Sequence, residues 1–268
     1  MTAETIDWSV LAPAFAAGLL VLATHVPLGI EVLKRGIIFI DLAIAQIAAL
    51  GVIFANLLGW EGDSLAVQGC AALAALGGAL LLTQAERLWP EMLEALIGLA
   101  FVLAASVGIL LLAGNPHGGE HLKDLLAGQI LWVSPRQLGV AALVAVPVLG
   151  LWFWRGARGA GLGRGGFYLL FSITVTISVQ LVGVFLVFAS LIAPAVATRG
   201  AGAGVAAPWR RLLAAYAIGI AGYAAGLILS ALYDLPSGAA IVCAMCGLAL
   251  AAVMLNGRGK VQYVATGP

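Results

Sequence analysis

The sequence predicts an all-α protein, a polytopic transmembrane helix bundle of about 8–9 spans. Three observations predict it: 63% of the 268 residues are hydrophobic, only 9% are charged, and the mean hydropathy is +1.10. A soluble domain carries roughly 25% charged residues, which excludes a water-soluble fold. A spanning helix needs about 20 apolar residues, so residues 1–268 are expected to form a single transmembrane domain with no sizeable soluble part. The net charge of +1 says little, because in a membrane protein the positions of the charges carry the information.

Apolar runs bounded by charged or Gly- and Pro-rich breaks predict spans near 9–30, 37–59, 65–83, 95–113, 135–154, 212–232 and 237–255. The stretch 166–198 is too long for one straight helix and short for two. Gly183 and Pro194 interrupt it, so it reads as a helix pair or a broken helix. The N-terminus has Glu4 and Asp7 before the first apolar run and lacks the basic region and cleavage site of a signal peptide. The first segment is therefore expected to be retained as a span.

Orientation follows from the basic residues. Lys34, Arg35, Arg87, Arg155, Arg158, Arg164, Arg199, Arg210, Arg211, Arg258 and Lys260 share one side if 166–198 crosses twice, and Lys123 and Arg136 take the other. This implies nine crossings of the inner (plasma) membrane, with the N-terminus outside and the C-terminus cytoplasmic. Gly- and Ala-rich spans, such as Ala71 to Gly78 and Gly219 to Gly226, supply the close helix contacts that a bundle in lipid requires.

The motif search narrows the chemistry. No G-x-x-x-x-G-K-[ST] pattern occurs, so ATP is bound by that route only on a partner. No H-E-x-x-H or G-x-S-x-G constellation supports an enzyme. Cys243 and Cys246 are spaced C-x-x-C, but with no second pair nearby they read, like Cys70, as small packing residues inside helices.

Ionisable groups at membrane depth are costly and are functional candidates by default. The informative segment is His25 to Gln46, HVPLGIEVLKRGIIFIDLAIAQ. Counting from Arg35 at about 1.5 Å per residue, His25, Ala45 and Gln46 lie roughly 15 Å deep, Asp41 about 9 Å, and Glu31 nearer the interface. His25, Asp41, Gln46 and Glu31 are the candidate metal residues. Imidazole and carboxylate suit zinc, manganese or iron(II) better than alkali ions. Each also has a structural alternative. His25 could bond a carbonyl freed by Pro27, Asp41 could pair with Lys34 or Arg35, Glu31 could be an ion-paired helix-end residue, and Gln46 could bridge helices. His117, Glu120 and His121 sit in an outward loop, NPHGGEHLK, whose glycines argue against a helix. It reads either as a solvated connection or as a metal-capturing or docking loop.

Four segments, in order along the chain, carry a resemblance to a known group. Residues 32–41, VLKRGIIFID, resemble V-L-R-R-M-x-x-x-G-D. Residues 124–134, DLLAGQILWVS, resemble L-L-F-G-D-I-L-x-V-S. Residues 182–199, VGVFLVFASLIAPAVATR, resemble V-G-x-L-L-V-x-A-L-L-I-I-P-A-A-T-A-R, and YDLPSGAAIV at 233–242 resembles D-L-P-x-G-x-x-I-V. These are motifs of the permeases of zinc, manganese and iron(II) uptake ABC importers.

The resemblance implies a homodimeric permease in membrane lipid, with the path between subunits and no nucleic-acid partner. Cytoplasmic ATPase subunits and an extracytoplasmic metal-binding protein would complete the system. No cofactor is bound permanently; the divalent metal, zinc foremost, is cargo. Asp41 matches the Asp of the family's D-A-L-S-H-A, while Ala45 stands in place of its His. Residues 155–167, RGARGAGLGRGGF, occupy the position of the ATPase-coupling D-P-E-F-A-x-A-L-G, without its acidic residues. A permease with another cargo and an intramembrane metal-dependent enzyme are the alternatives.

Overall fold

The computed structural model describes residues 8–60, 64–113, 126, 128–157, 163–199 and 208–264. Among them there is no strand. The helices are α1 (Trp8–Arg35), α2 (Ile40–Leu57), α3 (Leu65–Leu88), α4 (Leu93–Leu112), α5 (Pro135–Ala157), α6 (Arg164–Val182), α7 (Val184–Ala197), α8 (Pro208–Tyr233) and α9 (Ser237–Val264), with short 3-10 turns at Pro90–Met92 and Ile130–Trp132. Eight are long and apolar enough to cross a membrane, and α7 is shorter. The polytopic helical bundle expected from composition is the fold observed.

Three helices extend past the apolar runs into last turns that carry basic charge, the third being α5 with Arg155. α1 continues to Lys34 and Arg35, and α3 to Arg87, where basic side chains face the negative ends of the helix dipoles. The stretch 166–198 is two helices, α6 and α7, divided by the single residue Gly183 at φ 83°. A side chain rarely adopts that conformation. Pro194 causes no break; it lies inside α7, one turn before its end.

Side-chain contacts give the course of the chain. α8 runs antiparallel to α1, with Tyr223 against Gly18, Leu22 against Gly219, and the Tyr216 hydroxyl donating to the Ala23 carbonyl at 2.8 Å. The Arg35 guanidinium lies 4.2 Å above the Phe167 ring, so α6 starts where α1 ends. Arg211, near the start of α8, donates to the Ala195 carbonyl at 3.5 Å, so α7 ends there too. The chain therefore runs out along α6 and returns along α7. Arg164 pairs with Glu86 at 3.3 Å, and the Phe39 amide donates to Glu94 at 3.4 Å. These contacts bring the end of α3 and the start of α4 to the same end, which holds the basic residues.

α2 and α6 form the centre, with 61% and 67% of their spans buried, against 17% for α4 and α5. The exposed Leu and Val side chains of α4 and α5 thus form an apolar outer surface suited to lipid. Cys243 and Cys246 lie inside α9 as expected, but on its exposed face, which corrects their reading as packing residues. The buried face of α9 is formed instead by Ile241, Met245 and Ala249.

Because lipid offers little hydrophobic gain for helix association, close backbone contact supplies much of the packing. A Cβ on Gly29 would overlap the Leu191 carbonyl of α7. Gly29→Ala should therefore destabilise the bundle by about 1–3 kcal/mol, since backbone cannot yield as a side chain can. Gly77, which has open space around it, is the control. Thermal unfolding in detergent should show a lower midpoint for Gly29→Ala and no loss for Gly77→Ala.

Candidate functional site

α2 begins after the Gly36–Phe39 turn and carries Asp41 in its first turn. Asp41 is fully buried, and neither carboxylate oxygen has a hydrogen-bond partner. A charged carboxylate in such a place is costly unless a counter-charge meets it. The adjacent positive end of the α2 dipole supplies part of one. Ala45, Ala48 and Val52 continue the face that Asp41 starts, at helical spacing. Ala45 and Ala48 are buried, while Val52 lines a half-open cavity of ≈ 430 Å³ walled by α2, α3, α5 and α6.

This cavity lies at the end of the bundle opposite the basic cluster. Gln68 is in the first turn of α3, Gln137 in the first turn of α5, and Gln180 in the last turn of α6, and all three line it with Thr176. Gln137 also starts α5. Its side-chain oxygen accepts from the Ser134 amide at 2.9 Å and the Ser134 hydroxyl at 3.1 Å, while its own amide N–H donates to the Ser134 hydroxyl at 3.2 Å, a reciprocal cap. From Val52 down to Asp41 is about 16 Å of helix. The α2 face thus runs from a half-open cavity with a few polar groups through two small buried residues to an unpartnered carboxylate.

His25 is fully buried on α1. Its Nδ1 lies 2.9 Å from the Val21 carbonyl, which also accepts from the Thr24 hydroxyl at 3.1 Å. Nδ1 also lies 3.1 Å from the Thr24 hydroxyl; in the tautomer that donates to the Val21 carbonyl, Nδ1 carries the proton. Nε2 is then a buried lone pair without a partner, the form in which imidazole binds a metal. The carbonyl that loses its donor to Pro27 is that of Ala23, four residues earlier, and Tyr216 of α8 supplies the replacement. His25 does not serve Pro27.

The candidate residues divide by face. His25 shares a face of α1 with Gly29, one turn on, which abuts α7. Asp41 faces the side of α2 that leads to the cavity. Gln46 lies about 140° around α2 from Asp41, with its amide nitrogen beside Gly108 of α4. Glu31 pairs with Arg35 at 3.0 Å and Lys34 at 3.7 Å, at the basic end of α1. Among the described residues no group of three or more His, Cys, Asp and Glu is close enough to hold a metal ion. His117, Glu120, His121 and residues 158–162 lie outside the described residues. Glu86 and Tyr216, which tie the bundle together at Arg164 and Ala23, were not legible as partners because each meets a residue far away in sequence.

Comparison with known proteins gives a consistent set of relatives. A sequence profile described as the ABC 3 transport family matches residues 7–157 and 162–256. The manganese transport system membrane protein MntC of Halalkalibacterium halodurans is 29% identical over 259 residues, covering 89% of this chain and 85% of that protein. The zinc transport system membrane protein TroC of Treponema pallidum is 28% identical over 259 residues, covering 87% and 84%. Among solved structures, PsaBC from Streptococcus pneumoniae in complex with Fab superposes with a TM-score of 0.72 at 19% identity, covering 92% of each chain. A metal-chelate type ABC transporter in an inward-facing conformation gives 0.65 at 17% identity, over 91% of this chain and 85% of that one. At these identities the structural likeness concerns the fold alone.

Asp41 should behave as a group kept at a cost to stability. Replacing it with Asn removes the charge while keeping the shape, so Asp41→Asn should raise the unfolding midpoint in detergent, by about 1 kcal/mol or more in stability. A lower midpoint would mean that Asp41 holds the fold together.

Proposed function

The chain belongs to the ABC 3 transport family, and from that premise we propose that it is the membrane-spanning permease of an importer for a divalent transition metal, zinc foremost. The observation that carries this is the buried, unpartnered Asp41 on the α2 face that leads from the half-open cavity. Family membership makes the chain a transport protein and not an enzyme. Manganese and zinc transport proteins are both among the relatives. Zinc is placed first because a neutral imidazole and a carboxylate are zinc ligands; manganese or iron(II) is the alternative.

His25 and Asp41 are proposed to meet the ion in turn or together as the bundle changes conformation, with His25 supplying the imidazole absent at Ala45. Gln46 and Glu31 would take part only after rotation of α2 and release of the Arg35 pair. Neither step is needed for Asp41 or His25. The ion is cargo, with no cofactor held permanently.

In this proposal two copies of the chain form the path in the inner membrane, and ATP is bound only by cytoplasmic partners. Those partners would dock at the basic end, where Arg155 to Phe167 joins α5 to α6, and an extracytoplasmic binding protein would deliver metal at the cavity end. Gathering of the α1, α3 and α7 ends with the α6 and α8 starts at one basic face supports a cytoplasmic assignment for that face. The N-terminus is then outside and the C-terminus inside. A reporter fused at the C-terminus should read cytoplasm, and one placed between His117 and Lys123 should read outside; the reverse pattern would overturn the orientation.

Metal accumulation by cells expressing the whole system tests the function. Zinc uptake should depend on this chain and be lost in His25→Ala while assembly with the ATPase persists. A histidine introduced at Ala45 in that background should restore part of it. Normal uptake by His25→Ala would leave His25 a packing residue, and uptake of manganese but not zinc would reassign the cargo.

A further inference from the structure

The outer cavity is unlike a metal-binding site in its lining. The described residues that wall it come from α2, α3, α5 and α6, and its polar members are Gln68, Gln137, Thr176 and Gln180. None of the described wall residues is a His, Cys, Asp or Glu, the residues that replace water around a transition metal. Of its polar groups, the Thr176 hydroxyl donates to the Ser172 carbonyl at 2.7 Å, and the Gln137 oxygen is engaged by Ser134. Gln68 and Gln180, half-buried on two facing helices, have side chains that the cap and the helix do not claim.

We propose that this cavity admits the divalent cation with its water shell intact, held through water by the Gln68 and Gln180 amides, so that this stretch of the path does not discriminate among transition metals. The inference rests on the proposed role of the chain as a metal importer. Size supports it: ≈ 430 Å³, at about 30 Å³ per water in the liquid, is ample for a cation inside an octahedral shell. Chemistry supports it too. A neutral amide is a weak substitute for water around a divalent ion, but its carbonyl accepts a hydrogen bond from a first-shell water at little cost. Apart from Gln137 and Thr176, the other described wall residues are apolar and offer the ion no ligand. Dehydration, and with it the choice of metal, is deferred until the cavity closes at Ala48 and Ala45 and the next polar group on the α2 face is the Asp41 carboxylate.

The test uses the complete importer, with its ATPase and binding protein, reconstituted in vesicles. Initial uptake of zinc and of manganese is measured separately. In Gln68→Leu/Gln180→Leu, both rates should fall by a common factor, roughly five- to tenfold for one or two lost polar contacts, leaving the zinc-to-manganese ratio unchanged. Gln68→His/Gln180→His should instead create a ratio. Imidazole holds zinc more strongly than manganese, so zinc transport should slow more than manganese transport. Should the leucine pair fail to assemble, the histidine pair decides. A changed ratio in the leucine pair, undiminished uptake of both metals in it, or an unchanged ratio in an assembled histidine pair would overturn the proposal. A wild-type importer that moves neither metal would instead overturn the parent assignment.

Discussion

Backbone-to-backbone contact at glycine is the constraint on which the bundle depends. In lipid an apolar side chain gains little by leaving the acyl chains for a neighbouring helix, so helices must approach closely enough for dispersion and polar contacts to hold them. Gly29 lets α1 rest on the Leu191 carbonyl, and Gly226 lets α8 rest on the backbone of Ile241 in α9. Once α1, α7, α8 and α9 are that close, polar bonds between them become possible. The Ser190 and Tyr223 hydroxyls lie 2.9 Å apart, linking α7 to α8, and Tyr216 reaches the carbonyl that Pro27 leaves open.

The same closeness leaves few buried polar groups unsatisfied, which gives meaning to those that remain. The hydroxyls of α6 are satisfied locally: Ser172, Thr174 and Thr176 donate to carbonyls of their own helix. Thr83 and Ser190 do likewise. His25 and Asp41 have no such recourse for Nε2 and the carboxylate. Among the described residues, the other buried polar atoms without a partner belong to Glu86, Glu94, Arg155, Tyr168 and Arg211 at the basic end, so in a family that moves solutes His25 and Asp41 locate the chemistry better than the abundance of polar residues does.

Depth was legible in part, and rotation was not. His25 lies ten residues before Arg35 in the unbroken α1, whereas Asp41 is only the second residue of α2, because the Gly36–Phe39 turn replaces the helix that the count from Arg35 assumes. The glycine at 183 divides one long apolar run into two helices. The face each residue presents has no comparable signal. A spanning helix is apolar nearly all round, so it lacks the polar stripe that would give its phase. Gln46 was therefore grouped with Asp41 although it lies against α4. Cys243 and Cys246 lie inside a helix as read, but on its exposed face instead of packed, and Tyr216 was invisible as the partner of Ala23.

The short α7 settles on which side of α6 a solute has room. Its fourteen residues span about 21 Å, less than the roughly 30 Å of the hydrocarbon core. The missing depth is filled by the segment entering α5. Gly128, at φ 70°, lies against the Val182 carbonyl and the Gly183 amide, Ile130 is fully buried, and the Ile130–Trp132 turn packs on α1 and α9. Irregular backbone is tolerated at such depth only where protein encloses it, so this segment closes the bundle above the α6–α7 turn. On the other flank of α6, where Ile173, Thr176 and Gln180 face α2 and α3, the outer end stays open as the cavity. The asymmetry leaves the flank that leads to Asp41 as the open one.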